Sequence, residues 1–255
     1  MKLKIAHLYP ELLNLYGDGG NIICMQKRCA WRGIEAEVCT VHCGDPVDFS
    51  DVDIVFIGGG TDREQKIVCD ALLAEKKQLH DYVEAGGVLL AVCGGYQLLG
   101  HNYLLGDELV EGIGVVDLKT ERGEGRLIGN VMIQSDICEM PIVGYENHGG
   151  RTYLGDCQPL GKVISAGGYG NNGTDGHEGV HYKNVVGTYL HGPLLPKNPQ
   201  VCDYLLRTAL TRRYGEGYDF PKLDDTIEIN ANRVMQERLK ESVANKMKVN
   251  ARGKS

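Results

Sequence analysis

The chain of 255 residues is 42% hydrophobic and 24% charged, an ordinary globular composition long enough to bury one large core or two small ones. Its 27 basic against 34 acidic side chains leave a formal net charge of -7 with no Lys/Arg cluster, which argues against an electrostatic grip on nucleic acid or anionic lipid. No apolar run approaches the roughly 18 residues of a membrane span, and the N-terminus lacks the apolar stretch of a secretory signal before Glu11 and Asn14 interrupt it; a soluble, cytoplasmic protein is expected.

Nine cysteines are an odd count in a long chain, and Cys24, Cys29, Cys39, Cys69 and Cys138 sit inside apolar stretches, as small buried hydrophobes do. No C-x-x-C pair occurs, and the adjacent His42 and Cys43 are a poor geometry for one tetrahedral ion. Reduced thiols and no metal are the expectation.

In chain order, a strand at Lys4–Tyr9 precedes a helix from about Asn21 to Trp31 that stops at Gly33, and a second strand spans Glu35–Val41. Asp53–Ile57 is almost wholly apolar, the pattern of a strand buried on both faces of a parallel sheet, and ends at Gly58-Gly59-Gly60. Apolar positions Ile67, Ala71, Leu72, Leu79, Tyr82 and Val83 predict one long helix over Asp62–Glu84, and Val88–Val92 is another buried strand. Strands alternating with helices imply a doubly wound α/β domain, with ligands beyond the carboxyl ends of its strands.

Beyond residue 112 the texture changes to short β-like pieces (113–118, 127–134, 143–146, 163–166 and 185–189), expected to form an antiparallel β-rich layer on the same core. A helix near Pro199–Arg213 follows. Residues 1–213 make one domain and 214–255 a tail whose Met235, Leu239, Val243 and Met247 predict an amphipathic helix docked on its own domain or on a partner.

The chemistry concentrates at Val92-Cys93-Gly94-Gly95-Tyr96-Gln97: buried strand, Cys, two glycines, then a helical pattern. This is the layout of a nucleophile elbow, in which a sharp turn pushes the nucleophile out of the sheet and a helix N-terminus aims amide N–H groups at it. That dipole favours thiolate over thiol, making Cys93 the candidate nucleophile. Acyl transfer also needs a base and oxyanion donors. His191, directly after the apolar 185–190 run and before Gly192-Pro193, is the best-placed histidine for the base; Gly59, Gly60 and Gly94 are candidate oxyanion-hole donors.

At these residues the sequence resembles the triad-type (class I) glutamine amidotransferases, specifically the cobyric acid synthase-like branch. The resemblance rests on Ile57–Gly60, Ala91–Gln97, Gly144–Thr152 and Gly187–Leu195, taken together and in this order. It implies a class I amidotransferase fold ahead of the helical tail, L-glutamine as substrate, attack by Cys93 on the glutamine amide, proton transfer by His191, and a glutamyl thioester. By the same resemblance Gln97 helps hold the glutamine and Arg126 binds its carboxylate, a task suited to a planar fork of donors. Arg122 and Arg151 remain alternatives for that role, and Glu146 and His148 are site-lining or structural.

Many class I members carry a Glu two residues after the base, but here Gly192-Pro193 follows, so an acid supplied by a partner subunit is one expectation. No G-x-x-x-x-G-K-[ST] segment occurs. The resemblance therefore implies no cofactor in this chain, with ATP and Mg expected in a MurT-like Mur ligase subunit that completes a heterodimer and amidates the D-Glu α-carboxylate of a peptidoglycan precursor. A cobyrinate-type acceptor, a catalytically silent subunit on the same fold, and a cysteine hydrolase acting alone remain open at this point.

Overall fold

The structure, a computed structural model, describes residues 1–105, 108–165 and 167–252, and side chains as far as residue 240 apart from that of residue 105. Strands β1 (Lys2–Leu8), β2 (Glu35–Val41), β3 (Ile54–Ile57) and β4 (Val88–Val92) are separated by helices α1 (Gly19–Ala30), α2 (Asp62–Ala74) and α3 (Lys76–Glu84), and α4 (Gly94–Leu98) follows β4 directly. Then come β5 (Asn102–Leu105), β6 (Glu108–Glu111), β7 (Leu118–Ser135), β8 (Cys138–Leu154), β9 (Gly161–Val163), β10 (His177–Glu178), β11 (Val180–Tyr182) and β12 (Val185–Thr188). Helices α5 (Leu194–Lys197), α6 (Pro199–Tyr214) and α7 (Thr226–Arg252) follow.

The first sheet has the order β11-β12-β4-β3-β1-β2 and is parallel except at β11. The second runs β10-β9-β7-β5-β6 with β8 on β7, antiparallel except between β5 and β7. The expected doubly wound α/β sheet with an added antiparallel layer is thus observed. Leu89, Leu90, Val55, Phe56, Val185 and Val186 are fully buried, each such side chain contributing about 1.5–3 kcal/mol of apolar burial. This rigid centre carries the β3, β4 and β12 carboxyl ends side by side.

Three local expectations are corrected. The 185–189 run belongs to the parallel sheet, not the antiparallel layer: Val185–Thr188 is buried throughout and pairs in parallel with Leu89–Val92. The single helix over 62–84 breaks at Glu75 (φ −96°, ψ 2°), after which Leu79, Tyr82 and Val83 are buried while Ile67 remains exposed. Residues 113–117 form a bend because the amides of Ile113, Gly114, Val115 and Val116 bond to the carbonyls of Leu98, Gly100 and Leu99 at the end of α4, leaving none for a strand ladder. The 127–134 and 143–146 pieces are parts of one long β7–β8 hairpin.

The C-terminal segment is tied to the body by buried Arg28 of α1, whose guanidinium grips Asp203 of α6 (Nε–Oδ1 2.7 Å) and Asp225 ahead of α7 (Nη1–Oδ1 2.6 Å). Met235 and Leu239 of α7 pack on Met132 and Val143; the predicted Val243 and Met247 lie outside the described side chains. All nine cysteines are free, and among the described residues no helix is long and apolar enough to cross a membrane.

Candidate active site

Cys93 leaves β4 with φ 50°, ψ −106°, a backbone conformation that side chains other than glycine seldom adopt. The surroundings impose it. The Cys93 N–H donates to the Thr188 carbonyl at 2.8 Å and that of Gly95 to the Gly58 carbonyl at 3.1 Å. A Cβ at position 95 would lie 2.7 Å from the Ile57 side chain and 2.8 Å from the Gly58 carbonyl, so α4 seats against β3 only because glycine stands there. The sharp strand–helix turn expected of a nucleophile elbow is therefore present.

Beside Cys93, His191 is fully buried, and its backbone is clamped to β8 through reciprocal bonds with Tyr145. Its Nδ1 lies 3.3 Å from Oδ1 of Asp18, which is also fully buried. Among the described residues Nε2 has no hydrogen-bond partner. Burial pulls the imidazole pKa down, but the Cys93 thiolate and the Asp18 carboxylate more than offset it, so the pKa is raised to about 10. An imidazole raised in this way is the form that can donate a proton from the ring. Position 59 sits between these groups: a Cβ there would be 3.0 Å from His191 Cε1, 3.1 Å from Cys93 Cβ and 3.2 Å from Asp18 Oδ2.

Asp18 is the main residue that the sequence pattern missed. It lies beyond β1, while Gly58–Gly60 lie beyond β3, at the crevice where the strand order reverses and where ligands of doubly wound sheets bind. Gly17-Asp18-Gly19-Gly20 at such an end was the available signal. Asp18 thus places a carboxylate of this chain at Nδ1, the position for which an acid from a partner subunit was one expectation.

Of the expected oxyanion donors, Gly59 is removed: its N–H donates to Asp18 Oδ2 at 2.8 Å. The amides of Gly60 and Gly94 have no acceptor among the described residues, and the buried Gln65, also missed, donates through Nε2 to the Gly60 carbonyl at 3.2 Å. The cleft in front of Cys93 has a volume of about 720 Å³, room for an amino acid. Its walls include Tyr16, Gln97, Arg122, Arg126 and His148. Gln97 is buried and held by Nε2 to the Tyr189 hydroxyl at 3.1 Å. Arg126 faces the cleft from β7, whereas Arg151 is spent on the carbonyls of Gly149 and Glu124 at 2.9 Å each and staples the 123–126 turn. Glu146 accepts from the amides of Tyr169 and Gly170, and His148 stacks on Tyr189 at 3.5 Å, so both shape the wall.

A family model for the CobB/CobQ-like glutamine amidotransferase domain matches residues 4–199. The chain belongs to this family. Over 238 residues this amidotransferase is 44% identical to the lipid II isoglutaminyl synthase (glutamine-hydrolyzing) subunit GatD of Staphylococcus aureus (strain N315), covering 93% of this chain and 96% of that one. The GatD subunit of Streptococcus pneumoniae (strain ATCC BAA-255 / R6) is 42% identical over 89% of this chain and 87% of its own. Among solved structures, PurLQS from Thermotoga maritima superposes with a TM-score of 0.53 at 16% identity, over 83% of this chain and 99% of that one, a likeness of fold.

Behind the amidotransferase site, fully buried Glu178 accepts from the Tyr189 amide at 2.7 Å and the Thr188 hydroxyl at 3.0 Å, fixing the strand that leads to His191. Burial raises its pKa from 4.5 to about 8. A carboxyl raised in the folded state binds more protons than in the unfolded chain between those values, so its contribution to stability is complete below about pH 4.5 and lost as pH rises towards about 8. Thermal melts from about pH 5 to about pH 8 should show Glu178→Gln losing less stability than the parent chain. Parallel profiles would refute this assignment.

Proposed function

We propose that this glutamine amidotransferase hydrolyses L-glutamine through Cys93 and passes ammonia to a partner that amidates a peptidoglycan precursor. The observation that carries the hydrolytic step is buried His191 with Asp18 at Nδ1 and Cys93 beside the ring across Gly59. The Cys93 thiolate attacks the side-chain amide carbon, and the oxyanion takes the Gly60 and Gly94 amides. Imidazolium gives its proton to the departing nitrogen, releasing ammonia and leaving a glutamyl thioester. His191 then deprotonates water, which attacks the thioester, restoring thiolate and imidazolium and releasing glutamate. Arg126 takes the α-carboxylate of glutamine, and Gln97 packs along the bound amino acid.

The acceptor rests on similarity to two GatD subunits of lipid II isoglutaminyl synthase across nearly the whole of both chains. In this reading a MurT-like Mur ligase subunit binds ATP and Mg, activates the D-Glu α-carboxylate of lipid II, and receives ammonia within a cytoplasmic heterodimer. Co-expression with such a partner tests it, using glutamine labelled with heavy nitrogen at the side-chain amide. The expected result is label in the α-carboxamide of the lipid II stem peptide, dependent on ATP. Label in a cobyrinate carboxamide, with none in lipid II, would transfer the reading to the other acceptor.

A further inference from the structure

The turn that supplies Asp18 also places Tyr16 over the site, and none of the steps above uses this side chain. Tyr16 has φ 57°, ψ 21°, a left-handed backbone inside the short turn Leu15–Gly17. That geometry brings its ring edge-on to His191, with centroids 4.9 Å apart, and near Tyr145 at 6.3 Å. Its hydroxyl accepts from Asn147 Nδ2 at 2.6 Å. Asn147 in turn takes two N–H groups of Arg126: Nε to Oδ1 and Nη2 to the backbone carbonyl, both at 2.6 Å.

The chemistry of that second link is directional. A guanidinium presents five N–H donors in one plane. Asn147 occupies the Nε–Nη2 edge, so the outer Nη1–Nη2 edge is left to meet a carboxylate with two parallel bonds. The rotation of the Asn147 amide that permits this is fixed by Tyr16: with Nδ2 donating to the phenol, Oδ1 must face Nε of Arg126. We infer that Tyr16 and Asn147 are positioning residues that hold the Arg126 guanidinium edge-on for the α-carboxylate of an α-amino acid amide. Because the Tyr16 ring also lies against His191, the relay sets the distance between the carboxylate anchor and the base, and so selects the length of the amide side chain. The inference rests on Arg126 being the carboxylate anchor of the proposed glutaminase.

The test measures glutamate release by the full chain, with and without its co-expressed partner, for the parent, Tyr16→Phe, Asn147→Ala and the double variant. Phenylalanine keeps the ring over His191 and removes only the hydroxyl. The expected result is a KM for L-glutamine raised about fivefold by Tyr16→Phe, the size of one hydrogen bond, with a much smaller change in kcat. Asn147→Ala should raise KM at least as much, and the double variant no further than Asn147→Ala alone. Hydrolysis of 4-aminobutanamide, which has no α-carboxylate, should be equally slow in all four. An unchanged KM in Tyr16→Phe, or additive effects in the double variant, would overturn the relay while leaving the glutaminase reading intact. Glutamate release that survives Cys93→Ala would overturn the glutaminase reading and the relay with it.

Discussion

Cys93→Ala is expected to lower glutamate release by at least about 10⁴-fold, because removing a nucleophile abolishes the covalent route and leaves only binding and oxyanion stabilisation. The same substitution has a second readout. The Cys93 thiolate is the chief influence raising His191, so the imidazole pKa should fall from about 10 in the variant, as followed by NMR titration of its ring protons. The parent histidine should therefore stay protonated through neutral pH while that of Cys93→Ala gives up its proton at lower pH. Identical titrations would show that the thiol is not ionised beside the ring.

Asp18→Asn is the second large effect, with kcat expected to fall about 10³-fold. Asp18 accepts at His191 Nδ1 (3.3 Å) and at the Gly59 amide (2.8 Å). An asparagine can turn its NH₂ towards Nδ1, which favours the tautomer with the proton on Nε2, the nitrogen needed as base. The His191 pKa should fall as well, since the hydrogen bond and charge of Asp18 both raise it. Steady-state kinetics of the isolated chain and of its complex decide whether the acid is internal. If Asp18→Asn retains parental kcat in the complex, the orienting carboxylate comes from the partner.

Cys93 and His191 were legible because each follows a short, wholly apolar run, and such runs in an alternating chain end at one edge of a parallel sheet. The order of Gly58–Gly60, Cys93 and His191 across that edge follows from β3, β4 and β12 being neighbours. The contacts of Asp18 with His191 and of Tyr16 with Asn147 were not legible, since they depend on the β1–α1 turn folding back over strand ends and β8 residues distant in sequence; the glycines flanking Asp18 marked only a strand end. Gly59 was misassigned for the same reason: its amide is aimed at a carboxylate that only the tertiary fold brings there. Val185–Thr188 was assigned to the wrong sheet because neighbouring β-like pieces were grouped by texture. Its continuous burial, the mark of a central parallel strand, outweighed proximity in sequence. The break at Glu75 had no sequence signal of the Gly or Pro kind, and the helical period ran across it.

The most direct measurement is acid quenching of the chain during turnover of L-glutamine, followed by mass spectrometry of the Cys93-containing peptide. The expected result is a glutamyl group carried as a thioester on Cys93, absent from Cys93→Ala. Steady glutamate release with no adduct on Cys93, and the same release from Cys93→Ala, would contradict it.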